Sequence, residues 1–253
     1  MCEPCYCIEH YEATALASRT AHDWQAALEA CSAWLADEPF SQRPALMGSY
    51  IGFRPEYLSM AEQFATAGLC SDGTNIHLLN NRAVVRVYQG KINAAYKDVQ
   101  TALHYSPARD SAHLLATLGL IAFRCGMPEL GREYYGLSIA WFKHAKEPSA
   151  IASAALYLLR EEIRIDPSAI PQAVDIAQRI AKYPIVMREP ELAGMTELLL
   201  EEARSATSNN TSNDRAILPS AGREEFARNA SLFRVPKNAK QIAPRLGDYL
   251  SLL

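Results

Sequence analysis

Cys2, Cys5, Cys7 and His10 place three thiols and an imidazole within nine residues, a donor set that could surround Zn²⁺. Zinc sites usually pair a Cys-x2-Cys knuckle with a second ligand pair brought from a distance. Here the ligands crowd together with only a Pro4 turn to arrange them. These four are the candidate metal ligands of the chain, yet their spacing predicts that no metal and no cofactor is held. Cys31, Cys70 and Cys125 sit inside helical apolar patterns, where a small buried thiol is expected. His77, His104 and His113 fall on helical segments as solvated or core histidines, and Glu161-Glu162 reads as a surface charge pair. The sequence holds no phosphate-cradling glycine loop, no His-Glu-x-x-His and no Gly-x-Ser-x-Gly. Catalysis by this chain is therefore not expected, because nothing in it brings convergent polar groups together.

The elements that carry these residues follow from composition and periodicity. Of 253 residues, 49% are apolar and 21% charged, enough to bury one or two globular cores. Lys and Arg number 25 against 28 Asp and Glu, for a net charge of -3. With no cationic surplus to displace counterions from phosphates, no nucleic-acid partner is expected. Charges interrupt every long apolar stretch before the roughly 20 residues a bilayer span needs, so no membrane segment is expected either. The first ten residues lack a basic segment and an apolar run, and six cysteines are too few for a disulfide scaffold. Both features predict a cytoplasmic protein with reduced thiols, in which the Asn-x-Ser/Thr triplets at Asn209, Asn210 and Asn229 go unmodified.

Apolar positions three and four apart recur from about residue 8 to residue 203, and no segment sustains the period-two alternation of a strand. Breaks at Asp37-Glu-Pro-Phe-Ser, Ser71-Asp-Gly-Thr, Gln89-Gly, Ser106-Pro, Cys125-Gly-Met-Pro, Lys146-Glu-Pro-Ser and Asp166-Pro-Ser lie one helix apart. The unit is thus a helix pair with a tight turn. Ala83, Gly90, Ala95, Val99, Ala102 and Leu103 superpose on Gly119, Gly126, Gly131, Tyr135, Ser138 and Ile139 at a constant offset of 36. Small residues at matched points let the two helices of a pair lie close together. Gly90 and Gly126 fall in the turn, where a positive φ suits glycine.

The run from Leu79 to Pro107, with Ala83, Gly90, Ala95, Ala102 and the closing proline, resembles a tetratricopeptide repeat. A second copy from Ala112 to Lys143 keeps Gly119, Gly126 and Gly131 but lacks the final proline. Ala27, Cys31, Trp34 and Pro39 fit a third, and Gly48, Tyr57, Phe64 and Ala67 a fourth. Ala155 and Leu158 begin a weaker fifth copy whose second helix is displaced by Pro167 and Pro171. The resemblance implies an all-α fold, an α-α superhelix of four to five helical hairpins over residues 8–204, closed by a capping helix within 186–204. Residues 1–7 form a frayed amino-terminal end. Residues 205–221 are nearly devoid of apolar side chains through Asp214 and read as a flexible linker. Residues 222–253 carry scattered basic and apolar side chains and read as a docking segment, for self-association or for a partner.

By resemblance, the first helices of the pairs line a concave groove that holds a peptide or an amphipathic helix of a partner protein. The groove positions then fall on Asn80, Asn81, Val84, Val87 and Tyr88, and on Ala116, Thr117, Leu120, Phe123 and Arg124. Leu16, Phe53, Leu156, Leu159 and Arg160 extend them. Tyr88 and Phe123 would anchor the partner, and Arg124 and Arg160 would read an acidic rim. Asn81 matches an asparagine of the subfamily that clamps chaperone carboxyl termini, but Ala45, Ser49, Ala116 and Leu120 replace the flanking donors, so such a clamp is not expected. Asn81 equally suits a hydrogen bond inside the array. The expected role is a protein-interaction scaffold or adaptor. The alternatives are a regulatory sensor of a small molecule or signalling peptide, and the adaptor part of a larger enzyme assembly.

Overall fold

The structure is a computed structural model that describes residues 6–52, 54–106 and 111–208, with side chains over 10–207 of these. Every regular element among the described residues is helical, as the periodicity predicts. The chain divides into two compact units, one ending at Ser106 and one beginning at Pro107.

The first unit contains α1 (Tyr6–Thr20), α2 (Trp24–Asp37), α3 (Gln42–Ile51), α4 (Leu58–Ser71), α5 (Ile76–Tyr88) and α6 (Ile92–Tyr105). Helices pair in sequence as α1 with α2, α3 with α4 and α5 with α6. α2 also packs on α3 and α4 on α5, and α3 touches α5 directly. Small residues set the spacing. A Cβ on Gly48 would stand 2.5 Å from the Phe64 ring, and one on Gly68 would stand 2.6 Å from Leu78, so both crossings need glycine. Ala45, Ala65 and Leu78 are fully buried where these helices meet.

The second unit contains α7 (Ser111–Arg124), α8 (Pro128–Ala145), α9 (Pro148–Ile165), α10 (Ile170–Ala181), the short α11 (Pro184–Arg188) and α12 (Pro190–Ser208). α7 and α8 form a hairpin locked by reciprocal insertion: Cβ atoms on Gly119 and Gly131 would lie 2.7 Å from Tyr135 and 2.4 Å from Phe123. Beyond it the pairing changes. α9 packs on α8, α10 and α12, and α12 packs on α10 and α11, so the expected fifth copy is not a simple hairpin. Pro167, in a 3₁₀ turn, and Pro171, in the first turn of α10, separate α9 from its successor.

Helix ends explain why the hairpin turns recur. After α5 the Lys91 amide donates to Arg86 O (2.8 Å) and the Gly90 amide to Val87 O (3.0 Å), with Gly90 at φ 76°. After α7 the Met127 and Gly126 amides donate to Ala122 O (2.9 Å) and Phe123 O (3.0 Å), with Gly126 at φ 73°. Both are Schellman caps, the same device at matched positions of the repeat. Two further turns use it without glycine: His22 (φ 60°) after α1 and Lys146 (φ 59°) after α8. Asn75 and Asp23 close the opposite ends. The Asn75 carboxamide oxygen accepts from the His77 and Leu78 amides, and Asp23 accepts from the Ala26 amide.

Several expectations need correction. Cys31 and Cys125 are buried, but Cys70, in the last turn of α4, is exposed. The helix expected within 186–204 from the Pro190 region is α12, which starts at Pro190 but runs on to Ser208, and a separate short helix, α11, ends at Arg188 before it. The linker therefore does not begin at residue 205; the Thr207 hydroxyl donates to Ala203 O inside the last turn.

Candidate partner-binding face

In the first unit Asn80, Asn81, Val84, Val87 and Tyr88 of the expected groove lie on α5, and Asn81 faces α3. The Asn81 carboxamide donates to Ser49 Oγ (2.9 Å), whose hydroxyl donates to Leu46 O. Asn81 therefore holds two first helices together, the second of its expected roles. Asn75 bridges to Gln42 of α3, and Arg43 of α3 reaches Glu12 of α1. The first helices of consecutive hairpins are thus tied side by side by polar side chains.

Beside those ties, Asn80, Val84 and Tyr88 are half-buried, at the i, i+4 and i+8 positions of one helix face. Val87, one residue off that row, is 1% exposed and belongs to the core. On α3, Tyr50 is 44% exposed, and on α1, Leu16 is 39% exposed. Sequence reasoning missed Tyr50. Its signal was its place next to Ser49, the residue that Asn81 grips.

The second unit overturns the rest of the apolar groove. Leu120 and Phe123 are each 1% exposed, and Leu156, Leu159 and Thr117 are buried. The Phe123 ring fills the space that Gly131 leaves open and packs beside Tyr135, with the Arg132 guanidinium 6.0 Å from its centroid. It is an anchor of the hairpin and presents no surface to a partner. Only Ala116, among the positions named on α7, is partly open along with Arg124.

Arg124 and Arg160 do not read an acidic rim, because each is held by a carboxylate of its own unit. Glu161, fully buried at 0% exposure, accepts from Arg124 Nε (2.9 Å) and Nη2 (2.7 Å) and from Arg164 Nε (2.8 Å). Glu162 takes Arg132 through Nε (2.6 Å) and Nη2 (2.8 Å), a fork that raises the pKa of that guanidinium. Arg160 donates through Nε to Glu202 (2.9 Å). Three consecutive residues of α9 thus reach three different helices: Arg160 to α12, Glu161 to α7 and Glu162 to α8. Glu161-Glu162 is not a surface pair. Its side chains are buried where the helices converge, and burying such polar groups is costly without partners of this kind.

The first unit repeats the device on its second helices. Asp98 of α6, 5% exposed, accepts from Arg82 Nε (3.0 Å) and Nη2 (2.8 Å) and from Arg86 Nη1 (2.7 Å). Arg86 extends to Glu62 of α4 (2.9 Å), which Lys91 also contacts (2.6 Å). Burial opposes the Glu62 charge, but the hydrogen bonds from Lys91 and Arg86 outweigh it and hold its carboxyl below the usual range.

No described group of three or more His, Cys, Asp or Glu side chains converges as a metal site would. His10 is exposed on α1; Cys2, Cys5 and the Cys7 side chain lie outside the described residues, as does Phe53. His113 is exposed and packs its ring 4.7 Å from Phe142. Burial pushes the Cys31 thiol up to about 12, which leaves it inert. No described helix is long and apolar enough to cross a membrane. Comparison of the chain with family models, with curated proteins and with solved structures gives no match.

Proposed function

We propose that the chain is a tetratricopeptide-like interaction scaffold whose first unit binds a partner polypeptide across α3 and α5. The observation that carries the reading is the polar stitching between these first helices. Asn81 to Ser49 and Asn75 to Gln42 fix their separation, while Tyr50, Asn80, Val84 and Tyr88 stay at least partly open to solvent. A surface held rigid in this way loses little conformational freedom on binding. Aromatic side chains with a polar tip suit it, because tyrosine supplies a large contact area from few rotatable bonds.

The occupant would be an extended or helical segment with apolar side chains for Tyr50 and Tyr88 and amide groups for Asn80. In this reading Leu120, Phe123, Arg124 and Arg160 take no part in recognition. The test is the double substitution Tyr50→Ala with Tyr88→Ala in the full chain, compared with the parent for proteins co-purifying from native lysate. A specific partner recovered with the parent should be lost, or weakened by at least about tenfold, at unchanged helical content. Equal recovery removes the face from consideration.

A further inference from the structure

In the second unit α10 and α12 diverge around a groove of about 610 Å³. Ile170, Val174 and Gln178 of α10 and Leu200, Ala203, Arg204 and Thr207 of α12 line it. Ile170, Val174 and Leu200 are only half-buried, although each lies on the apolar stripe of its helix. Arrays of stacked helices expose such a stripe on a terminal element unless something covers it.

We propose that residues 244–253 of the same chain occupy this groove as an amphipathic helix. Spacing within the segment supports it: Pro244 suits the first helical position, and Leu246, Tyr249, Leu250 and Leu253 recur at i, i+3, i+4 and i+7. Length agrees as well. Ten helical residues span about 15 Å against about 18 Å for the twelve residues of α10.

The chain path points to the same occupant. Ala203 and Thr207, in the last turns of α12, belong to the groove wall, so the chain leaves the helix at Ser208 beside the groove itself. A flexible chain of the length of residues 209–243 has an end-to-end distance of roughly 30 Å, ample to return and short enough to hold the segment at high effective concentration. Beyond residue 208 the sequence has seven basic and four acidic side chains, whereas residues 111–208 have ten basic and twelve acidic. The basic excess lies in 209–243, since 244–253 itself has one basic and one acidic residue, so it favours the approach of the connecting stretch and not the choice of segment.

This docking stands independently of the face on α3 and α5. Hydrogen exchange of the full chain, followed by mass spectrometry, tests it with two variants. Leu246→Ser with Leu250→Ser alters only the segment, and Val174→Lys alters only the groove. In the parent, amides of 244–253 should exchange at least about tenfold more slowly than an unstructured peptide. The segment variant should lose that protection and speed exchange in 170–178 and 200–207. Val174→Lys should release the segment while 192–199 keep their parental rate; if the charge instead loosens α12, the segment variant decides alone. Coil-like exchange of 244–253 in the parent overturns the proposal. So does protection that Val174→Lys leaves intact, which would place the segment elsewhere, and protection that falls on dilution, which would make the occupant a second copy.

Discussion

Lys146 and His22 hold the left-handed backbone that Gly90 and Gly126 hold elsewhere, and the four turns close with the same pair of hydrogen bonds. A side chain in that region costs about 1–2 kcal/mol, while glycine loses about 0.5–1 kcal/mol more backbone entropy on folding. Lys146 is exposed, so its side chain gives up little when removed. Lys146→Gly should therefore stabilise the protein by about 0.5–1 kcal/mol in urea denaturation. Gly90→Ala should do the reverse by about 1 kcal/mol, though nothing lies within 4 Å of the added methyl, because the backbone alone carries the strain. Equal stability of the Lys146 variant and the parent would show that the turn tolerates a side chain freely.

Charged residues act at the scale of elements by fixing which helices meet. Hydrophobic packing alone lets α9 slide or rotate against its neighbours. Arg160, Glu161 and Glu162 admit one arrangement, since each must find a different helix. Such groups contribute less to net stability than to uniqueness, because desolvation offsets most of the Coulomb attraction. Removing one charge has a larger effect than the pair is worth. Glu161→Gln removes the counter-charge of Arg124 and Arg164, which are 24% and 30% exposed and so partly rescued by water; the expected loss is about 2–3 kcal/mol in chemical denaturation. Glu129→Gln, altering a carboxylate that is 89% exposed, should cost under about 0.5 kcal/mol. Similar losses for the two would mean that burial of Glu161 plays no part.

For the whole molecule, contacts run mainly between helices close in sequence, so stability accumulates locally and a defect should stay local. Phe123→Ala leaves a void opposite Gly131 and should lower stability by about 3–5 kcal/mol. Its urea transition should split or broaden, with the steps after α7 melting first. A single sharp transition shifted as a whole would show instead that the 253 residues unfold as one cooperative body.

Helical periodicity, the 36-residue offset and the glycine turns were legible because they depend on neighbours in the chain: side-chain spacing, a missing Cβ, a positive φ. The α1–α2 turn escaped notice because His22 carries the left-handed conformation without glycine or proline. Groove positions taken from the repeat resemblance were another matter. Val84 and Leu120 match at the 36-residue offset, yet Val84 stays half-open while Leu120 is sealed at 1% exposure. Arg124 and Arg160 look like ligand-reading cations until Glu161 and Glu202, about 40 residues further on, arrive beside them. Local geometry sets which residues share a helix face, so the sequence by itself determined the helices and their turns. Exposure and charge pairing depend on what other helices bring to that face, and only the tertiary structure decided them.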